Sequence, residues 1–162
     1  MKTGVILTVG NSLMGDDGAG PLLAKMLADA PARGWRTVDG GSMPENEVQY
    51  IRSIAPHRVL IFDAAEMDLR PGELRLVEED MIAERLFPTT HVLPLSFLIR
   101  ILSDFVPVVQ LLAIQPSLVA FSWPMSAEVQ KAVERVHRQL MEGVSPDTFQ
   151  KLTQAPQGSD VA

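Results

Sequence analysis

Residues 4 to 30, GVILTVGNSLMGDDGAGPLLAKMLADA, decide the fold class. The stretch begins with a continuous apolar run from Gly4 to Val9, which is typical of a strand covered on both faces. A glycine-rich turn follows. From Pro21 to Ala30 the apolar residues then recur at helical spacing behind an early proline. A buried strand, a tight turn and a helix in this order predict the first unit of an α/β fold.

The same alternation continues along the chain. Strands are predicted at 35–41, 57–64, 73–77 and 106–115, and helices at 44–54, 79–86, 94–103 and 126–141. Residues 88–94 are expected to form a loop. We therefore predict one α/β domain over residues 1–142 with a largely parallel sheet. From residue 143 the chain is polar, so residues 143–162 are expected to be a loosely ordered tail.

Composition narrows the possible functions. The 162 residues are 46% hydrophobic and 21% charged, which is typical of a soluble globular protein. The net charge of -6 argues against a nucleic-acid partner. The most apolar stretch, 92–124, contains Arg100, Asp104 and several prolines, so no membrane span is predicted. The absence of cysteine excludes disulfides and thiolate metal sites, and it fits a cytoplasmic protein.

The glycine-rich turn does not fit a nucleotide site. Gly10 and Gly15 have the spacing of a phosphate-binding loop, but Asp16 and Asp17 replace its lysine and hydroxyl residue, and two carboxylates repel phosphate. Asp39 lies where a dinucleotide-binding fold has its ribose-binding acid, yet the GxGxxG spacing is absent.

A cation explains the carboxylates better. Ligands of an open parallel sheet bind beyond the carboxyl ends of its strands. Asp17 follows the first strand, and Asp63 ends the third. We expect Asp16 and Asp17 to face this crevice with Asp63. The alternative is that one of the paired acids only caps the following helix.

One histidine can complete such a site. His57 begins the third strand, at the opposite end from Asp63, and His137 is expected on the surface of the last helix. His91, in the loop TTH, is therefore the histidine expected to reach the crevice. Two carboxylates and one imidazole leave open positions on a metal. The motifs HExxH and GxSxG are absent, and Ser42 has no evident base.

Five blocks of sequence carry a family resemblance. They are VGNSLMGDDGAGPLLA, DGGSMPEN, LIFDAAEM, TTHVLPLSFLI and IQPSLVAFSWPM, in this order from the first strand to about residue 142. In these blocks the chain resembles the nickel–iron hydrogenase maturation endopeptidases, and it looks closest to the subgroup that serves the hydrogenase of formate hydrogenlyase (hydrogenase 3 type). The family fold is a three-layer sandwich, a twisted sheet with helices on both faces.

The resemblance implies an aspartyl-type peptidase that removes a C-terminal extension from a hydrogenase large-subunit precursor after nickel is loaded. The family's nickel-contacting and catalytic residues match Asp17, Asp63 and His91. The nickel is expected to belong to the precursor, so the resting enzyme would hold no metal. We expect a cytoplasmic monomer that needs neither nucleic acid nor membrane. The alternative hypothesis is a nickel-binding chaperone or sensor that uses the same ligands without cleavage.

Overall fold

A five-stranded sheet organises the chain. The computed structural model describes residues 2–78, 80–81 and 94–153. The strands are β1 (Gly4–Thr8), β2 (Trp35–Asp39), β3 (Arg58–Ala64), β4 (Leu74–Val77) and β5 (Val108–Ile114). They lie in the order β2-β1-β3-β5-β4 and are parallel except for the pair β4 and β5. The helices are α1 (Ala19–Asp29), α2 (Val48–Ile54), α3 (Leu95–Ser103) and α4 (Ala127–Met141).

Helices cover both faces of this sheet. Side chains alternate along a strand, so neighbouring residues face opposite layers. Leu7 and Ile61 pack in the core that α2 and α3 complete. Ile6 and Phe62 pack in the core that α1 and α4 complete. Both faces are thus apolar, as the continuous strand patterns require. The predicted α/β sandwich with a mostly parallel sheet is confirmed.

The edge strand β4 is antiparallel to β5, and therefore also to β3, because the connection from β3 to β4 is short. A parallel pair needs a crossover of a dozen or more residues. Only residues 65–73 join β3 to β4. The buried side chain of Gln115 holds this connection in place. Its Oε1 accepts from the amides of Met67 (2.7 Å) and Leu69 (3.3 Å), and its Nε2 donates to Glu66 Oε2 (2.9 Å).

Two predicted helices begin differently from expectation. A 3-10 turn over Gly15–Gly18 precedes α1, and another over Pro44–Glu47 precedes α2. The helix predicted at 79–86 and the loop predicted at 88–94 fall almost entirely outside the described residues. No helix in the described ranges has the length and apolar character needed to cross a bilayer.

The chain beyond α4 is docked and not loose in the part that is described. Leu76 of β4 accepts from the amide of Leu152 and donates to the carbonyl of Gln150, at 2.9 and 2.8 Å. Phe149 is buried against the core of α1 and α4. The segment therefore covers the open edge of β4, which would otherwise expose unpaired backbone groups. The expected loose tail is wrong for residues 146–152, while residues 154–162 lie outside the described ranges.

Asp147 provides a polar attachment for this segment. Its carboxylate accepts hydrogen bonds from Gln110 Nε2 (2.9 Å) and from Arg58 (3.0 Å). The pKa of Asp147 is held below its ordinary value of 3.8, chiefly by the Gln110 hydrogen bond and also by the Arg58 guanidinium. The stabilisation is therefore present above pH 3.8 and is lost as the pH falls through the lower pKa of the folded state.

We expect Asp147→Asn to lower the melting temperature slightly at neutral pH, since the carboxylate is half-exposed and solvent weakens its ion pair. The difference from the unmodified protein should shrink as the pH is lowered below 3.8. Calorimetry across this range measures it. Asp29→Asn, which removes an exposed carboxylate of α1, is the control and should show no such trend. An equal deficit at every pH would contradict a role for the ionised carboxylate.

Candidate active site

The carboxyl ends of β1 and β3 border the crevice at which the strand order of the sheet reverses. From β1 the chain crosses to β2 on one side, while β3 lies on the other side, and such reversals create ligand sites in open α/β sheets. Thr8 pairs with Phe62, and the amide of Val9 donates to the carbonyl of Phe62 at 3.0 Å. Asp63, the next residue, thus lies beside the point where the chain leaves β1.

Two glycines allow the turn and α1 to pack directly against the end of β1. Gly10 has a φ of +140°, and a Cβ there would lie 2.1 Å from the carbonyl oxygen of Asp17. A Cβ on Gly20 would lie 2.1 Å from the carbonyl oxygen of Val9. No larger side chain fits at either position. The glycines therefore serve close backbone packing, which brings Asp17 to the strand end.

Asp17 lies in the 3-10 turn at the mouth of the crevice. Its side chain is 3% exposed, and Oδ2 accepts from the amide of Asn11 at 2.9 Å. The turn contacts β3, which carries the second predicted acid.

Asp63 is fully buried near the end of β3, opposite Ala113 of β5. Strand alternation places it on the same face as Ile61, toward the layer of α2 and α3. A carboxylate that is buried this deeply needs polar or charged neighbours, because burying an unsolvated charge is costly. Asp63 thus lies near the end of β3, and the turn that carries Asp17 follows the neighbouring strand β1 and contacts β3. The convergence of the two carboxylates on one site stays a prediction.

His91 lies outside the described residues, so its approach to these acids stays a prediction. Within the described ranges, no three His, Asp or Glu side chains form a group that could hold a metal. The other two histidines have structural contacts. His57 Nδ1 lies 2.8 Å from the carbonyl oxygen of Thr3, before β3, which agrees with its exclusion. His137 is half-buried in the last helix, with Nε2 3.0 Å from the carbonyl oxygen of Ala30.

Asp16 does not face the crevice, contrary to expectation. Its carboxylate accepts four hydrogen bonds from the segment between β5 and α4. The donors are the amides of Ser117 (2.7 Å), Leu118 (3.2 Å) and Ser126 (2.7 Å) and the Ser126 hydroxyl (2.9 Å). Its own amide donates to the carbonyl of Leu118. Asp16 is a structural clamp between two loops, and neither the helix-cap nor the cation interpretation describes it.

Asp39 also has a structural role. Its Oδ1 accepts from the amide of Gly41 at 3.1 Å and lies 3.5 Å from the hydroxyl of Thr8. The carboxylate closes the turn after β2, which leaves the ribose-binding interpretation without support.

The cavity that the structure shows elsewhere has a different character. It measures about 670 Å³ and lies between the 70–75 stretch and α4. Its charged lining residues are the basic Arg70, Arg75, Lys131, Arg135 and Arg138 and the acidic Glu73 and Glu128. None of the predicted site residues lines it. The cavity is therefore separate from the crevice of Asp17 and Asp63.

The clamp makes Asp16 a stability residue. We expect Asp16→Ala to lower the free energy of unfolding by about 3 kcal/mol or more, because three backbone amides lose a charged acceptor. Ser126→Ala removes only the hydroxyl bond and should cost about 1 kcal/mol. Urea unfolding at neutral pH measures both values. Equal effects of the two substitutions would show that the amide bonds to Asp16 contribute little.

Comparison with known proteins points to one family. The family model described as hydrogenase maturation protease matches residues 21–142. The hydrogenase 3 maturation protease of Escherichia coli K12 is 50% identical over 138 residues, which cover 85% of this chain and 88% of that protein.

Solved structures agree with this match. The solution structure of the endopeptidase HycI from Escherichia coli has a TM-score of 0.86 and 47% identity, covering 93% of this chain and 97% of that one. A crystal structure of a hydrogenase 3 maturation protease has a TM-score of 0.88 and 46% identity, covering 94% and 98%. A maturation protease from Thermococcus kodakarensis, with 24% identity and a TM-score of 0.79 over 88% and 92%, shares the fold.

Proposed function

Because this chain belongs to the hydrogenase maturation protease family, we propose that it removes the C-terminal extension of a nickel-loaded hydrogenase large-subunit precursor. The proposal is supported by the position of Asp63 near the end of β3 and by the contact of the 3-10 turn that carries Asp17 with the same strand. Asp63 lies within residues 21–142, which match the family model, and Asp17 lies in the first of the sequence blocks that carry the resemblance. Ligands of open α/β sheets bind beyond the carboxyl ends of the strands, which is the part of this sheet where both acids lie.

The chemistry follows from the ligand types. Carboxylate oxygen and imidazole nitrogen both bind divalent ions such as nickel. We propose that Asp17, Asp63 and His91 contact a nickel ion that the precursor already holds. Nickel near the scissile bond would polarise its carbonyl or lower the pKa of the attacking water. Alternatively, Asp17 accepts the proton from the water as a general base, and the proton then passes to the leaving amine.

The donor set supports a metal that arrives with the substrate. Two carboxylates and one imidazole, with no thiolate in the whole sequence, make a site with open positions. Such a site holds a free ion weakly. It can still add contacts to an ion held by other ligands. An enzyme with such a site would cleave only a precursor that already holds nickel.

The cellular setting is part of the same proposal. We propose that the protein works in the cytoplasm as a monomer, with the precursor as its partner. The absence of cysteine and the net charge of -6 support this setting and argue against a nucleic-acid partner.

The two crevice acids give the most direct test. We expect Asp17→Asn and Asp63→Asn each to reduce the rate of precursor cleavage by about 100-fold or more, since each removes a charged group from the reaction site. Asp17→Asn should retain its fold, because the amide oxygen can still accept from Asn11. Cleavage is followed by gel electrophoresis and mass spectrometry of the large subunit.

Asp39→Asn is the matched control, because Asp39 also ends a parallel strand at this edge but is bound within its own turn. Its cleavage rate should remain near that of the unmodified enzyme. Full activity of the Asp17→Asn enzyme would exclude the proposed site. A protein that binds the precursor but never shortens it would indicate the chaperone alternative.

Nickel dependence tests the source of the metal. We expect enzyme treated with a chelator to cleave nickel-loaded precursor and to leave nickel-free precursor intact, because the metal contact belongs to the substrate. The mass loss of the large subunit measures both reactions. Equal cleavage of the two precursors would contradict the proposal, as would a requirement for zinc bound tightly to the enzyme.

A further inference from the structure

Two loops at the carboxyl edge of the sheet expose four large apolar side chains. Leu13 is 61% exposed, Leu118 45%, Phe121 69% and Trp123 59%. We call these four residues the apolar patch. Side chains of this size are normally buried, and groups of them on a surface mark sites of interaction. Leu13 follows β1, and the other three lie between β5 and α4.

The two loops are held together through their backbones. The amide of Ser122 donates to the carbonyl of Leu13 at 2.9 Å, which places the Phe121–Trp123 stretch beside Leu13. The amide of Asp16 donates to the carbonyl of Leu118 at 2.9 Å. The Asp16 carboxylate adds its four hydrogen bonds to the same segment. The two loops that carry the patch are therefore joined through their backbones and through the Asp16 carboxylate.

The backbone that carries this surface is strained at one residue. Ser122 has a φ of +61°, in the left-handed region that non-glycine residues rarely adopt. A buried carboxylate is also needed to anchor the segment. Neither feature buries Phe121 or Trp123, which stay largely in water. Strain that holds exposed aromatic residues in place is typical of a binding surface and contributes nothing to a core.

The apolar patch shares a loop with one of the residues of the proposed active site. Leu13 and Asp17 belong to the same short loop, four positions apart. The residues from 105 to 127, and those from 3 to 15, contain no charged side chain. A partner that fits this surface is apolar and uncharged where it makes contact. A strongly acidic or basic segment would lose solvation without gaining an ion pair.

We propose that the apolar patch is the docking surface for an apolar, uncharged face of the precursor beside its cleavage site. This inference rests on the proposed function, since the occupant is the substrate of that site. Asp17 and Asp63 act on the bond, while the patch contributes binding energy. Aromatic residues in the centre of an interface commonly carry most of its affinity.

Loss of the patch should therefore affect KM and leave kcat unchanged. We expect the double variant Phe121→Ser with Trp123→Ser to raise KM for the nickel-loaded precursor about 30-fold or more, with kcat within a factor of about two. Leu118→Ser should raise KM by a smaller factor. Met141→Ser is the matched control, because Met141 is 45% exposed like Leu118 but ends α4 at the opposite edge of the sheet. It should leave KM unchanged.

A binding measurement separates this inference from the cleavage proposal. Precursor binding to an Asp17→Asn enzyme is measured by interferometry, with and without the Phe121→Ser and Trp123→Ser changes. Loss of binding in the patch variant supports docking whether or not cleavage occurs. Unchanged affinity and KM in the patch variant would overturn it, even with cleavage intact. Sedimentation of the unmodified protein completes the test. A dimer that the double variant dissociates would assign the patch to a second copy of this chain and overturn the proposal.

Discussion

The buried carboxylate of Asp16 joins two parts of the chain on which the rest of the site depends. It accepts four hydrogen bonds from a segment more than a hundred residues away. Because each bond goes to a charged acceptor shielded from water, the set is stronger than four surface bonds. The turn that carries Asp17 is thus fixed on one side by β1 and on the other by the segment that leads into α4.

Adjacent aspartates have separate tasks in this arrangement. The turn directs the Asp16 carboxylate toward the 117–126 segment. Asp17 keeps its carboxylate at the crevice, with Oδ2 positioned by the Asn11 amide. A carboxylate on a rigid turn loses little freedom when it meets a metal or a water, and such preorganisation is what a catalytic group requires. The close contacts at Gly10 and Gly20 hold that turn against the strand end.

In the proposed function, the residues that act on the scissile bond are different from those that bind the precursor. Asp17 and Asp63 are both buried, and a low dielectric around them would favour the role proposed for their carboxylates. The four side chains of the apolar patch are exposed and carry no charge. A protein substrate is large, and contacts away from its reacting bond can provide affinity that the crevice alone does not. The basic cavity near α4 lies apart from both and carries none of the predicted site residues.

The sequence by itself determined the fold class and indicated where the proposed site lies. Continuous apolar strands alternating with amphipathic helices require a sheet covered on both faces, and parallel strands bring Asp17 and Asp63 to one edge. Only the tertiary structure decided which of two neighbouring aspartates faces the crevice, because the partners of Asp16 are separated from it by most of the chain. It also decided the direction of β4, through a connection too short for a crossover, and the docking of residues 146–152. The local sequence pattern predicts which residues are buried or helical. Long-range hydrogen bonds, in contrast, form only once distant segments have packed together.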